Sequence, residues 1–316
     1  MNNICNFIKK SCKFGIIIPF TNILLTYGNK LLPFRLLRKI SAYRNRKIQR
    51  FLMPIIEEVL KENPTDVMGS KSSVPVIWTC WLQGEEQMPE IPKICLSSMR
   101  RFSNGKQVIV ITERNFAQYV DISPTVLNAY KSGQLKPAHF ADIIRMNLLS
   151  QRGGLWLDAT MYVSRELPNE LFDRPFYSIK TPEFGAFVSK CRWAVFCLGS
   201  WEGNILMSVV TRAFDEYLKR TTLFIDYFLF DQFIDILYNT NEDIKSLIDN
   251  IPFNNPNTHN LHLSDNYNYD EWVHLKKDTF MFKLSWKGQN MNDLLIDKTN
   301  YYNYLISISN CSKLIL

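Results

Sequence analysis

The sequence predicts an α/β fold with a largely parallel central sheet, and three observations carry that expectation. Residues 74–82 (VPVIWTCWL) and 106–113 (KQVIVITE) are apolar, β-branched runs that flank a segment of helical period. The clearest helical pattern in the chain, residues 137–154, stops at Gly153 and Gly154 and leads directly into another apolar run. Strand and helix signals then go on alternating to the last apolar run at 279–287. With 316 residues, 46% apolar and 21% charged, the chain can bury a core without disulfides or metals as staples.

The elements follow in order. Residues 1–65 form a basic, amphipathic helical segment ahead of a domain spanning 66–316. The first fifty residues hold eleven Lys or Arg and no acid, whereas the remainder carries four more acids than bases. GIIIPF and NILL alternate there with RLLRKISAYRNRKIQR. Pro19, Asn22, Gly28 and Pro33 interrupt the apolar stretches, so no run reaches the roughly 18–20 residues that a spanning helix needs. Cations beside apolar helix faces suit a segment lying on an anionic membrane surface. A basic appendage packed on the domain would read the same way. No recognised nucleic-acid motif accompanies the charge, so no nucleic-acid partner is expected.

The polar stretch at 63–75 has turn chemistry and precedes the first strand. Residues 91–102 give a helix, and strand–helix–strand at this spacing suggests a parallel crossover unit. A short helix at 123–133 closes on Gly133, and Pro137 opens the long one. Residues 155–164 (LWLDATMYVS) read as a strand with Asp158 in its middle. Strands at 176–180 and 192–200, helices at about 203–220 and 226–249, and an Asn-rich loop lead to the final strand. The seven cysteines are odd in number and scattered without metal spacing, which argues for reduced thiols.

Ligands of open α/β sheets bind beyond the carboxyl ends of the strands. Asp158, Trp78 and Trp81 are expected there. His139, Asp142 and Arg145, each three residues apart, share one face of the preceding helix. That face is either a solvated ion pair or one wall of the crevice.

The run AHFADIIRMNLLSQRGGLWLDATMYVSRELP resembles the centre of the capsular polysaccharide synthesis proteins, which are similar to glycosyltransferase family 32. The resemblance rests on Asp142-Ile-Ile-Arg145, Gly153-Gly154, Trp156 and the DxD-like element Asp158-Ala159-Thr160. VPVIWTCWLQG and FKLSWK resemble the family's first strand and closing Ser-Trp element, so the likeness spans about residues 74–287. It implies a GT-A type, Rossmann-like nucleotide-sugar-binding domain. The implied function is a bacterial hexosyltransferase that moves a sugar from a UDP-sugar donor to a capsular or other surface glycan, with retention. Asp158, Asp142 and Arg145 would be catalytic. The donor would be held by these three with Trp78 or Trp81 on the base and Ser285, Trp286 and Lys283 or Lys287 over the diphosphate. Asp158 and Thr160 would hold Mn²⁺ or Mg²⁺, although Thr160 supplies a neutral hydroxyl where a second carboxylate is usual. The acceptor is expected on a lipid, and the protein peripheral on the cytoplasmic face of the plasma membrane. A glycan-binding scaffold or a surface-glycan phosphotransferase stands as the alternative.

Overall fold

The computed structural model describes residues 2–28, 31–62, 68–286 and 291–311. Three helices open the chain: α1 (Asn2–Phe14), α2 (Ile17–Gly28) and α3 (Phe34–Lys61). The sheet then starts with β1 (Ile77–Cys80), continues through α4 (Glu90–Arg101) to β2 (Val108–Ile111), and β2 pairs parallel to β1. The short helices α5 (Phe116–Tyr119) and α6 (Pro124–Lys131) lead to α7 (Pro137–Gln151), and β3 (Gly154–Leu157) returns parallel to β1 on its other edge.

The glycine pair is required by the sharpness of that return. Gly153 and Gly154 have φ of +64° and +97°. A Cβ on Gly153 would lie 2.7 Å from the Glu202 nitrogen, and one on Gly154 2.5 Å from the Val76 carbonyl oxygen. No side chain fits either place, so the backbone itself fills the space between α7 and the sheet.

Residues 155–164 are not one strand. β3 ends at Leu157 and β4 (Met161–Val163) belongs to another sheet, paired antiparallel with β7 (Met281–Lys283). Asp158 to Thr160 form the turn between the two sheets, closed by the Met161 amide on the Asp158 carbonyl at 2.8 Å. The main sheet is completed by β5 (Phe176–Ser178) and β6 (Cys197–Ser200), in the order β2-β1-β3-β6-β5. β6 runs antiparallel to both of its neighbours, so the sheet is parallel through β2-β1-β3 and mixed beyond.

Alternation along the strands sends side chains to two cores. Trp78, Trp156, Phe176 and Leu198 face one, shared with α3, α7, α8 (Ile205–Arg220), α9 (Leu229–Thr240) and α10 (Glu242–Asp249). Ile77, Leu155, Tyr177 and Cys197 face the other, shared with α4, α11 (Tyr269–Lys276), the short α12 (Met291–Ile296) and α13 (Tyr301–Cys311). The result is a layered α/β body. The helical pattern at 226–249 is broken at Asn241, whose side chain instead caps α10 by accepting from the Ile244 amide.

The N-terminal segment shares the first of these cores. Ile48, Leu52, Ile55, Ile56 and Val59 of α3 are fully buried in it, at helical spacing along one face. Polar contacts fix α3 to α9 and the segment before it as well: Arg44 pairs with Asp226, Gln232 joins Asp226 to Asn45, and Gln49 donates to Asp235 at 2.7 Å. Among the described residues, no helix is long and apolar enough to cross a membrane.

Candidate active site

Asp158 leaves the sheet at the carboxyl end of β3, where its carboxylate gathers three other side chains. Oδ1 accepts from Arg145 Nη2 and from Trp156 Nε1, each at 2.9 Å, and Oδ2 accepts from Lys283 Nζ at 2.7 Å. Arg145 also reaches Asp142 Oδ1 at 3.1 Å, and His139 Nδ1 stands 3.8 Å from the other Asp142 oxygen. The helical face read from the sequence is therefore largely buried against the end of β3 rather than a solvated ion pair. Arg145 is 5% exposed, and its guanidinium lies 5.0 Å over the Trp156 ring.

Burial by itself would raise the Asp158 carboxyl. Lys283 and Arg145 outweigh it and, with hydrogen bonds from Lys283 and Trp156, hold the group well below the usual carboxylate range. Asp158 is thus held as a carboxylate between Arg145 and Lys283, with its side chain 27% exposed. The same burial pushes the nearby Cys80 thiol up to about 12, which makes it an inert neutral wall.

The two tryptophans of β1 have different places. Trp78 is 4% exposed, donates from Nε1 to the Gly153 carbonyl at 2.8 Å and meets the Tyr119 ring edge-on. It is a core residue with no face open to a base. Trp81, just past the strand end, meets Trp286 edge-on at 5.6 Å between ring centroids. The first and last apolar runs of the domain, some two hundred residues apart, thus bring their aromatic residues together at one edge of the crevice. Ser285, next to Trp286, is exposed. Lys287 lies outside the described residues, and Lys283 is the lysine that reaches Asp158.

Two buried donors around this crevice, Trp81 Nε1 and Arg145 Nε, have no hydrogen-bond partner. Buried donors of this kind are costly unless a ligand or water completes them. The pair Asp158 and Thr160 suits a divalent ion poorly. Asp158 Oδ1 already accepts two hydrogen bonds and Oδ2 accepts one from the Lys283 ammonium, and Thr160 is buried and neutral, its carbonyl held by the Leu284 amide at 2.9 Å. A hard divalent ion, which prefers several anionic oxygen ligands, would find here one carboxylate already shared with two cations. Among the described residues, no other set of three or more His, Cys, Asp or Glu side chains is gathered for a metal.

The sequence profile of capsular polysaccharide synthesis proteins matches residues 28–305. The chain belongs to this family. The match covers α3 as well as the sheet, so the family's shared part includes the last of the N-terminal helices. Among curated proteins none matches the chain. Membership supports a role in capsule biosynthesis, and a biosynthetic enzyme is consistent with it.

Further residues at the site had no assigned role in the sequence. Phe196 gives its carbonyl to the Asp158 amide at 2.9 Å and its ring to Lys283 at 5.1 Å. Tyr227 and Phe224 border His139, the latter stacked at 4.0 Å. Burial raises the Tyr227 hydroxyl, and the charges of Asp142 and Asp158 raise it further. These residues come from WAVFC and LFIDYFLF, aromatic runs that a core alone would explain equally well.

Proposed function

We propose that this member of the family is a glycosyltransferase that takes a sugar from a UDP-type donor and adds it to a capsular glycan. The reading takes its domain as GT-A type, related to glycosyltransferase family 32. The observation that carries it is the constellation beyond the sheet: a fixed carboxylate at the end of β3 between Arg145 and Lys283, beside the Trp81 and Trp286 pair. An aromatic pair suits a nucleobase, and cations beside a carboxylate suit a diphosphate and a ribose. The unpartnered Trp81 and Arg145 donors are the groups such a donor would complete.

In this reading Asp158 and Asp142 accept from sugar or ribose hydroxyls, which fixes the donor's orientation. Lys283 and Arg145 face the diphosphate and stabilise the charge it gains as the glycosidic bond breaks. The acceptor hydroxyl attacks from the face that the diphosphate is leaving, and the diphosphate takes its proton, so configuration is retained. In this reading the ammonium of Lys283 supplies the positive charge that a metal ion would supply in metal-assisted transfer. The basic helices would hold the enzyme on the inner face of the plasma membrane.

A donor screen tests the reading: UDP release from a panel of UDP-sugars, with and without EDTA, alongside calorimetric titration with UDP. Binding of UDP and release of UDP from one donor are expected, with activity persisting in EDTA. Asp158→Ala and Asp142→Asn should each abolish most turnover while circular dichroism is unchanged. Lys283→Ala should weaken UDP binding about tenfold or more, as expected for losing a charge-assisted contact. Absence of both UDP binding and transfer would overturn the proposal in favour of a scaffold, and release of UMP would show a phosphotransferase instead.

A further inference from the structure

A second cavity, of about 860 Å³, lies between the N-terminal helices and the domain. Its wall is mostly apolar. Phe34, Phe184, Phe187 and Phe228 line it and are each exposed by 45–51%, so they form its rim rather than a sealed core. The cavity borders the active site, because Phe196 and Tyr227, which touch Lys283 and His139, line it together with His259. The Phe196 ring touches Lys283, and the Lys283 charge helps to lower the His259 pKa, after burial as the main cause.

Two cations complete the wall. Arg44 is 7% exposed and pairs with Asp226 through Nη2, but its Nε is buried without a hydrogen-bond partner. Lys10, half-buried, makes no ion pair among the described residues. Its ammonium is disfavoured by burial and by Arg44, with the Asp226 charge acting in the other direction. An apolar chamber with an unfilled guanidinium donor and an unpaired ammonium matches an amphiphile with a hydrocarbon chain and an anionic oxygen head.

The surface around the mouth fits the same ligand. Exposed Ile4, Ile8, Ile16, Phe20, Ile23 and Tyr27 sit on α1 and α2 or the bend between them. With Lys9 and Lys13 exposed on α1 and no acid on either helix, they form a face suited to anionic lipid.

We propose that this cavity is the acceptor site and that it binds a hydrocarbon-tailed phosphate, the lipid carrier of the growing glycan. The rim phenylalanines hold the chain, Lys10 and Arg44 answer the phosphate, and the Phe196–Tyr227–His259 wall leads the attached sugar to Asp158. The assignment of the sugar end rests on the transferase reading above; the lipid-phosphate site itself does not.

The test is calorimetric titration of the full chain with farnesyl monophosphate below its micellar concentration, beside farnesol alone and inorganic phosphate alone. Saturable one-site binding is expected for farnesyl monophosphate, with farnesol and phosphate each much weaker. Phe34→Glu and Phe187→Glu place charge on half-exposed rim positions, and circular dichroism and thermal unfolding should show each variant folded as wild type. Each should weaken the probe about tenfold, a loss comparable to unburying part of an aromatic ring, and leave UDP affinity unchanged. Lys10→Gln should narrow the gap between farnesyl monophosphate and farnesol. Unchanged affinity in both rim variants, or displacement of the probe by UDP, would overturn the proposal. Equal affinity for farnesol would overturn the roles of Lys10 and Arg44. Probe binding without any UDP binding would leave this site standing and remove the transferase.

Discussion

Asp231 is a buried acid set near another acid, and it makes the protein's stability depend on pH. It lies in the wall between cavity and core, accepts from Trp193 Nε1 at 2.9 Å, and has its carboxyl pushed up to about 7. Burial is the main cause. The Trp193 hydrogen bond works against it and the Asp226 charge with it. In the unfolded chain the group returns to its ordinary value of 3.8. Below about pH 4 both states hold the proton and the group costs nothing. Between about pH 4 and pH 7 the folded state holds a proton that the unfolded chain has lost, so stability falls as pH rises. Above about pH 7 the full cost is present, on the order of a few kcal/mol. Asp231→Asn keeps an oxygen for Trp193 and removes the titration. Urea unfolding should show the variant more stable than wild type at pH 8 and the two converging by pH 4. A constant difference across that range would refute the account.

On α1, the exposed charges of Lys9 and Lys13 have no internal use among the described residues. Lys9 and Lys13 are exposed and make no ion pair among the described residues, while Ile4 and Ile8 are exposed beside them. Each basic residue near an anionic surface contributes about 1 kcal/mol. The double change Lys9→Glu and Lys13→Glu should therefore reduce flotation with phosphatidylglycerol vesicles by about thirtyfold or more. Binding to phosphatidylcholine vesicles should change little, and equal flotation with the anionic vesicles would refute a surface role for α1. This basic segment was plain in the sequence because charge is a local property. So were β1, α4, β2 and α7, whose period and stop signals need no partner to read. The break of 155–164 into two strands was not legible, because it is set by β6 and β7 pairing from far along the chain. For the same reason Trp78 and Trp81 could not be told apart: only the approach of Gly153 buries the one, and only Trp286 marks the edge on which the other sits. Asp142, Arg145 and Asp158 were legible as a group because one helix turn and one strand place them.

At the scale of the whole molecule, the basic segment and the domain stand or fall together through α3. Its apolar face is buried in the same core as α8 and α9, and its polar side is tied to the segment just before α9 by the Arg44–Asp226 pair. Both side chains of that pair are under 10% exposed, and Gln232 donates to the second Asp226 oxygen at 2.9 Å. Removing one partner of a buried pair leaves the other charge without compensation, at a cost of about 3–5 kcal/mol. Replacing both with apolar groups of similar size avoids that cost, since neither charge then has to be desolvated. Arg44→Met alone should thus lower stability by about 3–5 kcal/mol, and adding Asp226→Leu should recover most of the loss. Thermal unfolding of the three proteins should each show one cooperative transition, because the shared core leaves α3 no independent way to melt. A separate early transition in Arg44→Met, with the sheet melting at the wild-type temperature, would mean that α3 is an attachment and not a wall of the fold. The acceptor cavity would then be a gap between two loosely joined parts. Under a single transition it is a chamber whose shape the fold maintains.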